Sequence, residues 1–255
     1  MIEYEVHDDV AEILFNNPPV NAITEGFMDA LLQALERAGR DPAVRAVIVA
    51  SAIPGRFCAG LDLRSFLGGS PAEAHRIVGK IYAQLSEVQS GLGKPSIAAV
   101  TGAARGAGMS IAITCDMILA ADDATFGYPE LDVGLLPAIH FHHLPRIVGR
   151  HRAFDLLFTG RSFDVAEAVS LGLVSRHVPE AALMAEARRT AAVFAAKSPE
   201  LMRLGKAAFL RTAAAGYREG AATAVDLVST VFGTADCREG LTAFAEKRKP
   251  AWKGA

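Results

Sequence analysis

The sequence predicts an α/β fold whose first half is built on a largely parallel sheet and whose second half is a helical extension. Three observations carry this. Short apolar runs such as Ala46-Val47-Ile48-Val49-Ala50 and Ser96-Ile97-Ala98-Ala99-Val100 read as buried strands, glycine-rich turns follow them, and helical patterns alternate with them. Strand, turn, helix and strand in that order give right-handed crossovers and parallel pairing. From Leu144 onward the pattern is helical almost throughout.

Residues 2 to 15 alternate apolar and polar with a break at His7-Asp8-Asp9, which reads as a strand hairpin. Asn16-Asn17-Pro18-Pro19 forces a turn. Thr24 is placed to N-cap a helix whose Phe27, Met28, Leu31, Leu32 and Leu35 fall at helical spacing, ending near Gly39. Ala46 to Ala50 follows as a buried strand. Beyond the turn at Gly60, a helix is expected from Pro71 to Val88 and a buried strand from Ser96 to Val100. The second glycine-rich turn opens a helix running to Cys115, and Met117 to Ala121 resumes the sheet. In the second half only Leu173 to Val178 reads as strand; Tyr217 to Thr234 and Glu239 to Arg248 are amphipathic helices. No repeat or low-complexity linker interrupts the chain. The expected division is a core over residues 1–195 and a helical region over residues 196–255.

The 28 acidic and 26 basic residues of this 255-residue chain nearly balance, which argues against a polybasic binder of nucleic acid or membrane. A small partner is expected. The richest apolar stretch, Ser96 to Ala121, is broken by Arg105 and Asp116, so no segment reaches the ~18 uninterrupted apolar residues of a spanning helix. Met1 to Val6 alternates like a strand and lacks the basic head and apolar core of a signal peptide, so the mature chain is expected to start there, in the cytoplasm. Cys58, Cys115 and Cys237 stand far apart in no metal-ligand spacing, so neither zinc nor a disulfide is implied.

Arg56-Phe57-Cys58-Ala59-Gly60-Leu61-Asp62-Leu63 and Gly102-Ala103-Ala104-Arg105-Gly106-Ala107-Gly108 carry the chemistry. Each is a bare turn after an apolar strand, and together they suggest two converging backbone N–H donors. A pair of amides aimed at one point is what a developing oxyanion needs, which implies reaction at a carbonyl.

With these turns stand Ala124-Thr125-Phe126-Gly127-Tyr128-Pro129-Glu130, then Gly134-Leu135-Leu136-Pro137, and the tail from Asp236 to Arg248. Pro19-Val20-Asn21-Ala22, Leu157-Phe158-Thr159-Gly160 and Ala168-Val169-Ser170-Leu171-Gly172-Leu173-Val174 add to them. In this order, and nearly end to end, the chain resembles the crotonase (enoyl-CoA hydratase/isomerase) superfamily. The resemblance implies a crotonase-like spiral of ββα units with a helical C-terminal trimerisation region, trimers that often pair into hexamers, and an acyl-CoA thioester substrate. No cofactor is implied beyond the coenzyme A of that substrate.

Carried over by this resemblance, the oxyanion donors are the backbone amides of Leu61 and Ala107, the latter an alanine where the family usually has glycine. Only the N–H is needed, and a helix start favours negative charge there. Glu130 takes the place of a catalytic glutamate. Where the family's hydratases carry a second glutamate, this chain has Ser110. One carboxylate suffices to carry a proton from the α to the γ carbon, so isomerisation of an enoyl-CoA is favoured; hydration, or a non-catalytic acyl-CoA-binding role, are the alternatives. Arg56, Cys58, Ala59 and Gly60 in the first turn and Gly106 in the second are implied in substrate binding, with Arg56 and Lys247 toward CoA phosphates. Pro137 and His140 lie where the family shapes the acyl pocket, and mobile loops such as Phe66 to Ser70 would set acyl preference.

Other readings are weaker on residue grounds. Asp132 would pair with Glu130 only on an extended segment, and the resemblance makes Asp62 a brace for the loop that follows it. His140, His142 and His143 invite a metal, yet only two of them share a helix face, so none is expected. The glycine spacing before Asp122 imitates a dinucleotide fold, but no Tyr-x-x-x-Lys pair accompanies it, and no Gly-Lys-Ser/Thr completes a phosphate loop.

Overall fold

A computed structural model describes residues 1–66, 70–214, 228, 230–231 and 234–254. Strands β1 (Ile2–His7) and β2 (Val10–Phe15) form the expected antiparallel hairpin, turning through Asp8 and Asp9 at positive φ. Helix α1 (Glu25–Arg40) starts where Thr24 predicts, its hydroxyl accepting from Phe27 N at 3.2 Å, and carries Glu25 in its first turn and Arg37 and Arg40 in its last. Both ends suit the helix dipole.

Strands β3 (Ala46–Ser51), β4 (Arg56–Cys58), β5 (Ser96–Val100), β6 (Ala103–Arg105), β7 (Met117–Ala121) and β8 (Thr125–Gly127) come in three successive pairs. The first of each pair joins one sheet and the second joins another. The larger sheet runs β1-β2-β3-β5-β7-β10, where β10 is Arg176–Val178, and every pairing in it except β1 with β2 is parallel. The smaller runs β4-β6-β8-β9, with β9 (Phe163–Asp164) antiparallel to β8. This is the spiral of ββα units that the resemblance implies. Periodicity misses the smaller sheet because strands of three residues are too short to display alternation. The expected strand from Leu173 likewise shortens to Arg176–Val178, its first residues being taken up by the turn at Gly172.

Helices α2 (Pro71–Gly79) and α3 (Leu85–Gly91) are joined through a wide π turn over Lys80–Gln84, so the helical run expected there is continuous and ends slightly later. Helix α4 (Ala107–Thr114) follows β6 directly. Helices α5 (His140–Val148), α6 (Arg150–Thr159), α7 (Val165–Ser170), α8 (Glu180–Ala195), α9 (Pro199–Ala214) and α10 (Ala235–Ala245) make up the helical half. The expected amphipathic segment over residues 217–234 and the loop over residues 66–70 fall largely outside the described residues.

Strand alternation sorts the central side chains into two cores. Val47, Val49, Ala98 and Val100 face one with α1, while Ala46, Ile48, Ile97 and Ala99 face the other with Leu183, Ala187 and Ala191 of α8. Glu12 of β2, only 2% exposed, is held by two bonds from Arg188 of α8, at 2.6 and 2.8 Å. Among the described residues no helix is long and apolar enough to cross a membrane, and all three cysteines are free.

Candidate active site

In the smaller sheet β4, β6 and β8 lie side by side and parallel, with β6 in the middle. Just past their C-terminal ends come Leu61, Ala107 and Glu130 respectively, the end of a parallel sheet where ligands usually bind. These three, with Ala59, Gly60 and Gly106, border one cavity of about 220 Å³. Its remaining wall is mainly apolar, with Tyr82 from the π turn and Leu135 and Leu136 from the loop after Glu130.

Ile23 orients the Leu61 amide. Its N–H donates to Gly60 O at 2.8 Å and its carbonyl accepts from Asp62 N at 2.9 Å, a single parallel bridge. In such a bridge the middle residue of the partner turns its own N–H away, so Leu61 N is left free of Ile23. The Ala107 N–H is the first of α4 and has no carbonyl a turn behind it to bond. Among the described residues neither amide donates to a protein acceptor. The two turns are close: a Cβ on Gly60 would stand 3.5 Å from Ala107 N. Gly108 makes this possible, since a Cβ there would meet Cys58 O at 2.6 Å.

Glu130 sits in a 3-10 turn, Pro129–Val133, not on an extended segment. Its Oε1 lies 3.2 Å from where a Cβ on Gly106 would stand, so the carboxylate overhangs the peptide that bears the Ala107 N–H. Its Oε2 is buried with no hydrogen-bond partner. Burial raises its pKa above the ordinary carboxylate value, against a smaller opposing pull from its own backbone. The phenols of Tyr82 and Tyr128 are pushed up by burial first and the nearby Glu130 second, so both stay neutral. A carboxylate whose pKa is raised by burial, beside two free amides, is equipped to move a proton next to a polarised carbonyl.

Of the other sequence-predicted residues, all but Asp132 lie outside the cavity wall. Ser110 and His140 are buried behind it, Ser110 Oγ and His140 Nε2 being 3.0 Å apart. Burial pushes His140 down to about 3, His143 adding to the effect and the Gly106 backbone opposing it. Cys58 is buried and donates its thiol to Asn21 O at 3.1 Å, its pKa pushed up to about 12 by burial. Arg56 is exposed and bonds Gly55 O, Pro137 is buried, and Lys247 is exposed just past α10. Asp62 Oδ1 accepts from Arg64 N at 3.1 Å, bracing the next turn. Asp132 does border the cavity, but the 3-10 turn leaves it exposed. Among the described residues no three His, Cys, Asp or Glu gather to hold a metal ion.

Two contributors escaped the sequence reading. Asn21 is fully buried at φ 52, and its side-chain amide donates to Phe57 O at 2.9 Å and Ser51 Oγ at 2.8 Å, which ties down the first turn. A buried Asn in Pro-Val-Asn-Ala is the available signal, since Asn tolerates positive φ. Tyr82 has no such signal, because its approach to the cavity depends on how a distant helix packs.

The "Enoyl-CoA hydratase/isomerase" family model matches residues 5–255. The chain belongs to this family, the crotonase superfamily. It is therefore an enzyme of a family that acts on acyl-CoA substrates. A probable enoyl-CoA hydratase of Bacillus subtilis (strain 168) is 34% identical over 256 residues, covering 99% of this chain and 98% of its own. Probable enoyl-CoA hydratase 2, mitochondrial, of Arabidopsis thaliana is also 34% identical, over 96% of this chain and 82% of its own. The crystal structure of an enoyl-CoA hydratase from Bacillus anthracis superposes with a TM-score of 0.94 at 31% identity, covering 100% of this chain and 99% of that one.

Proposed function

We propose that this enzyme shifts the double bond of a 3-enoyl-CoA to the 2,3 position, with Glu130 as the single proton carrier. The observation behind this reading is the bond between Ser110 and His140: where the family's hydratases have a second glutamate, this chain has a buried neutral pair that does not border the cavity. The Leu61 and Ala107 amides would bind the thioester oxygen and store the charge released when Glu130 takes the α proton. The resulting dienolate takes the proton back at its γ carbon, and Glu130 is again ionised. Atoms balance, with no water consumed and no cofactor other than the CoA of the substrate.

The reading extends to a cytoplasmic enzyme that works as a trimer or a dimer of trimers and uses neither nucleic acid nor membrane. Hydration is the second reading, favoured by the names of the relatives, and would require Glu130 alone to activate water. Purified protein mixed with a 3-enoyl-CoA should raise the ultraviolet absorbance of the conjugated thioester, and Glu130→Gln should lower that rate by about 10²- to 10⁴-fold with thioester binding retained. No rise from the wild type, with turnover of 2-enoyl-CoA instead, would overturn isomerisation in favour of hydration. Binding without either reaction would favour the acyl-CoA-binding role.

A further inference from the structure

The cavity wall formed by Pro129, Glu130, Asp132, Val133, Leu135 and Leu136 belongs to one loop, and the residues at its two ends meet. Tyr128 on the entering side and His140 on the leaving side pack ring against ring, tilted by 57° with centroids 4.5 Å apart, both fully buried. From that closed stem His140 Nε2 reaches Ser110 Oγ at 3.0 Å. Ser110 belongs to the first turn of α4, whose first residue presents the Ala107 N–H. One side-chain bond thus fastens the loop that carries the carboxylate to the helix that carries an oxyanion donor.

We infer that Ser110 and His140 are positioning residues: together with the Tyr128 ring they clamp the loop of residues 129–139 and fix the placement of Glu130 relative to the Ala107 amide. The inference rests on the reading of Glu130 as proton carrier, whichever reaction follows. Both are buried and neither borders the cavity, so their effect would pass through the loop and the helix they join. The bond is suited to the task because His140 is held neutral by burial, so it adds no charge that would compete with Glu130. Loops close entropically at a cost, and a stem with one ring contact and one buried hydrogen bond holds a functional loop that has only a short 3-10 turn of its own.

The test measures exchange of the α protons of butyryl-CoA for solvent deuterium, which needs a base and a polarised carbonyl but neither isomerisation nor hydration. Ser110→Ala and His140→Leu should each slow exchange by about 10- to 100-fold, the scale of a misplacement near 1 Å, with butyryl-CoA affinity within about threefold. His140→Gln, which keeps a polar group near the Nε2 position, should recover most of the rate. The acid limb of the exchange rate should also move to lower pH in Ser110→Ala, because a loosened loop admits water to Glu130. The titratable groups that feel the Glu130 charge are Tyr82 and Tyr128, both neutral at the pH of that limb; Asp132 borders the same cavity, and His140 at the far end of the loop is neutral there too. Ser110→Ala removes a single oxygen and carries the test should His140→Leu fail to fold. If Glu130→Gln abolishes exchange while Ser110→Ala and His140→Leu exchange like the wild type, the clamp is wrong and the proton carrier stands. If Glu130→Gln exchanges normally, or the wild type does not exchange, both fall together.

Discussion

Gly106 and Glu130 occupy space that a larger residue at position 106 would contest: the carboxylate oxygen lies 3.2 Å from the missing Cβ, and Gly106 itself has φ 50 and ψ −118. L side chains rarely adopt that backbone, at a cost of about 1–3 kcal/mol. Gly106→Ala should therefore lower stability by about that amount and displace Glu130 as well. Thermal unfolding and turnover of the folded variant measure the two effects separately, and a drop in kcat of more than tenfold is expected.

Glu130 should set the acid side of the pH profile. The ionised form takes the proton, and its pKa is raised by burial, so kcat/KM should fall as pH drops through a midpoint above the ordinary glutamate value. The same shift has a cost for folding. A carboxyl whose folded pKa is raised contributes stability that is present below the unfolded pKa and is lost as pH rises through the folded pKa. Glu130→Gln should thus unfold at a higher temperature than the wild type at pH 7.5, with the gap closing as pH falls to 4.

Ala107→Pro replaces one N–H with a ring methylene that points the same way. Ala107 is the first residue of α4, a position where proline is well tolerated. The variant should fold while turnover falls by at least about 10²-fold, since one oxyanion donor is lost and a methylene takes the place offered to the thioester oxygen. Normal turnover would exclude this amide from the reaction.

Arg188→Ala tests the link between the sheet and α8. The guanidinium is about half exposed, so its charge is partly screened by water, but Glu12 is 2% exposed and would lose both of its hydrogen bonds. An unsatisfied buried acceptor costs about 1–3 kcal/mol. Urea unfolding should report a loss in that range, and replacing both residues with apolar ones should recover much of it.

The hairpin, the Thr24 cap and the central strands were legible because they obey local rules of alternation, capping and burial. The smaller sheet was not, since Arg56–Cys58, Ala103–Arg105 and Thr125–Gly127 become strands only by pairing with one another. Spacing located the two glycine-rich turns, whereas the roles of Leu61, Ala107 and Glu130 came from the resemblance; the structure brings all three to one cavity. Ser110 was read as a site residue in its own right, yet its partner lies thirty positions away and only folding makes the pair. Tyr82 and Asn21 act through contacts of the same long-range kind.

Three neighbouring strand ends each deliver one group to the cavity, and this gives the protein a modular chemistry. A substitution just past one end changes one contribution while the pairing of β4, β6 and β8 holds the other two in place. Ala107 and Ser110 illustrate the point. Ala107 stands where the resemblance leads one to expect glycine and Ser110 where it gives the hydratases a glutamate, both on the same short helix, and the backbone there still leaves the Ala107 amide close to the turn of Leu61. The scaffold can accordingly be retuned one turn at a time, from the number of carboxylates to the shape of the loop wall, without rebuilding the sheet beneath.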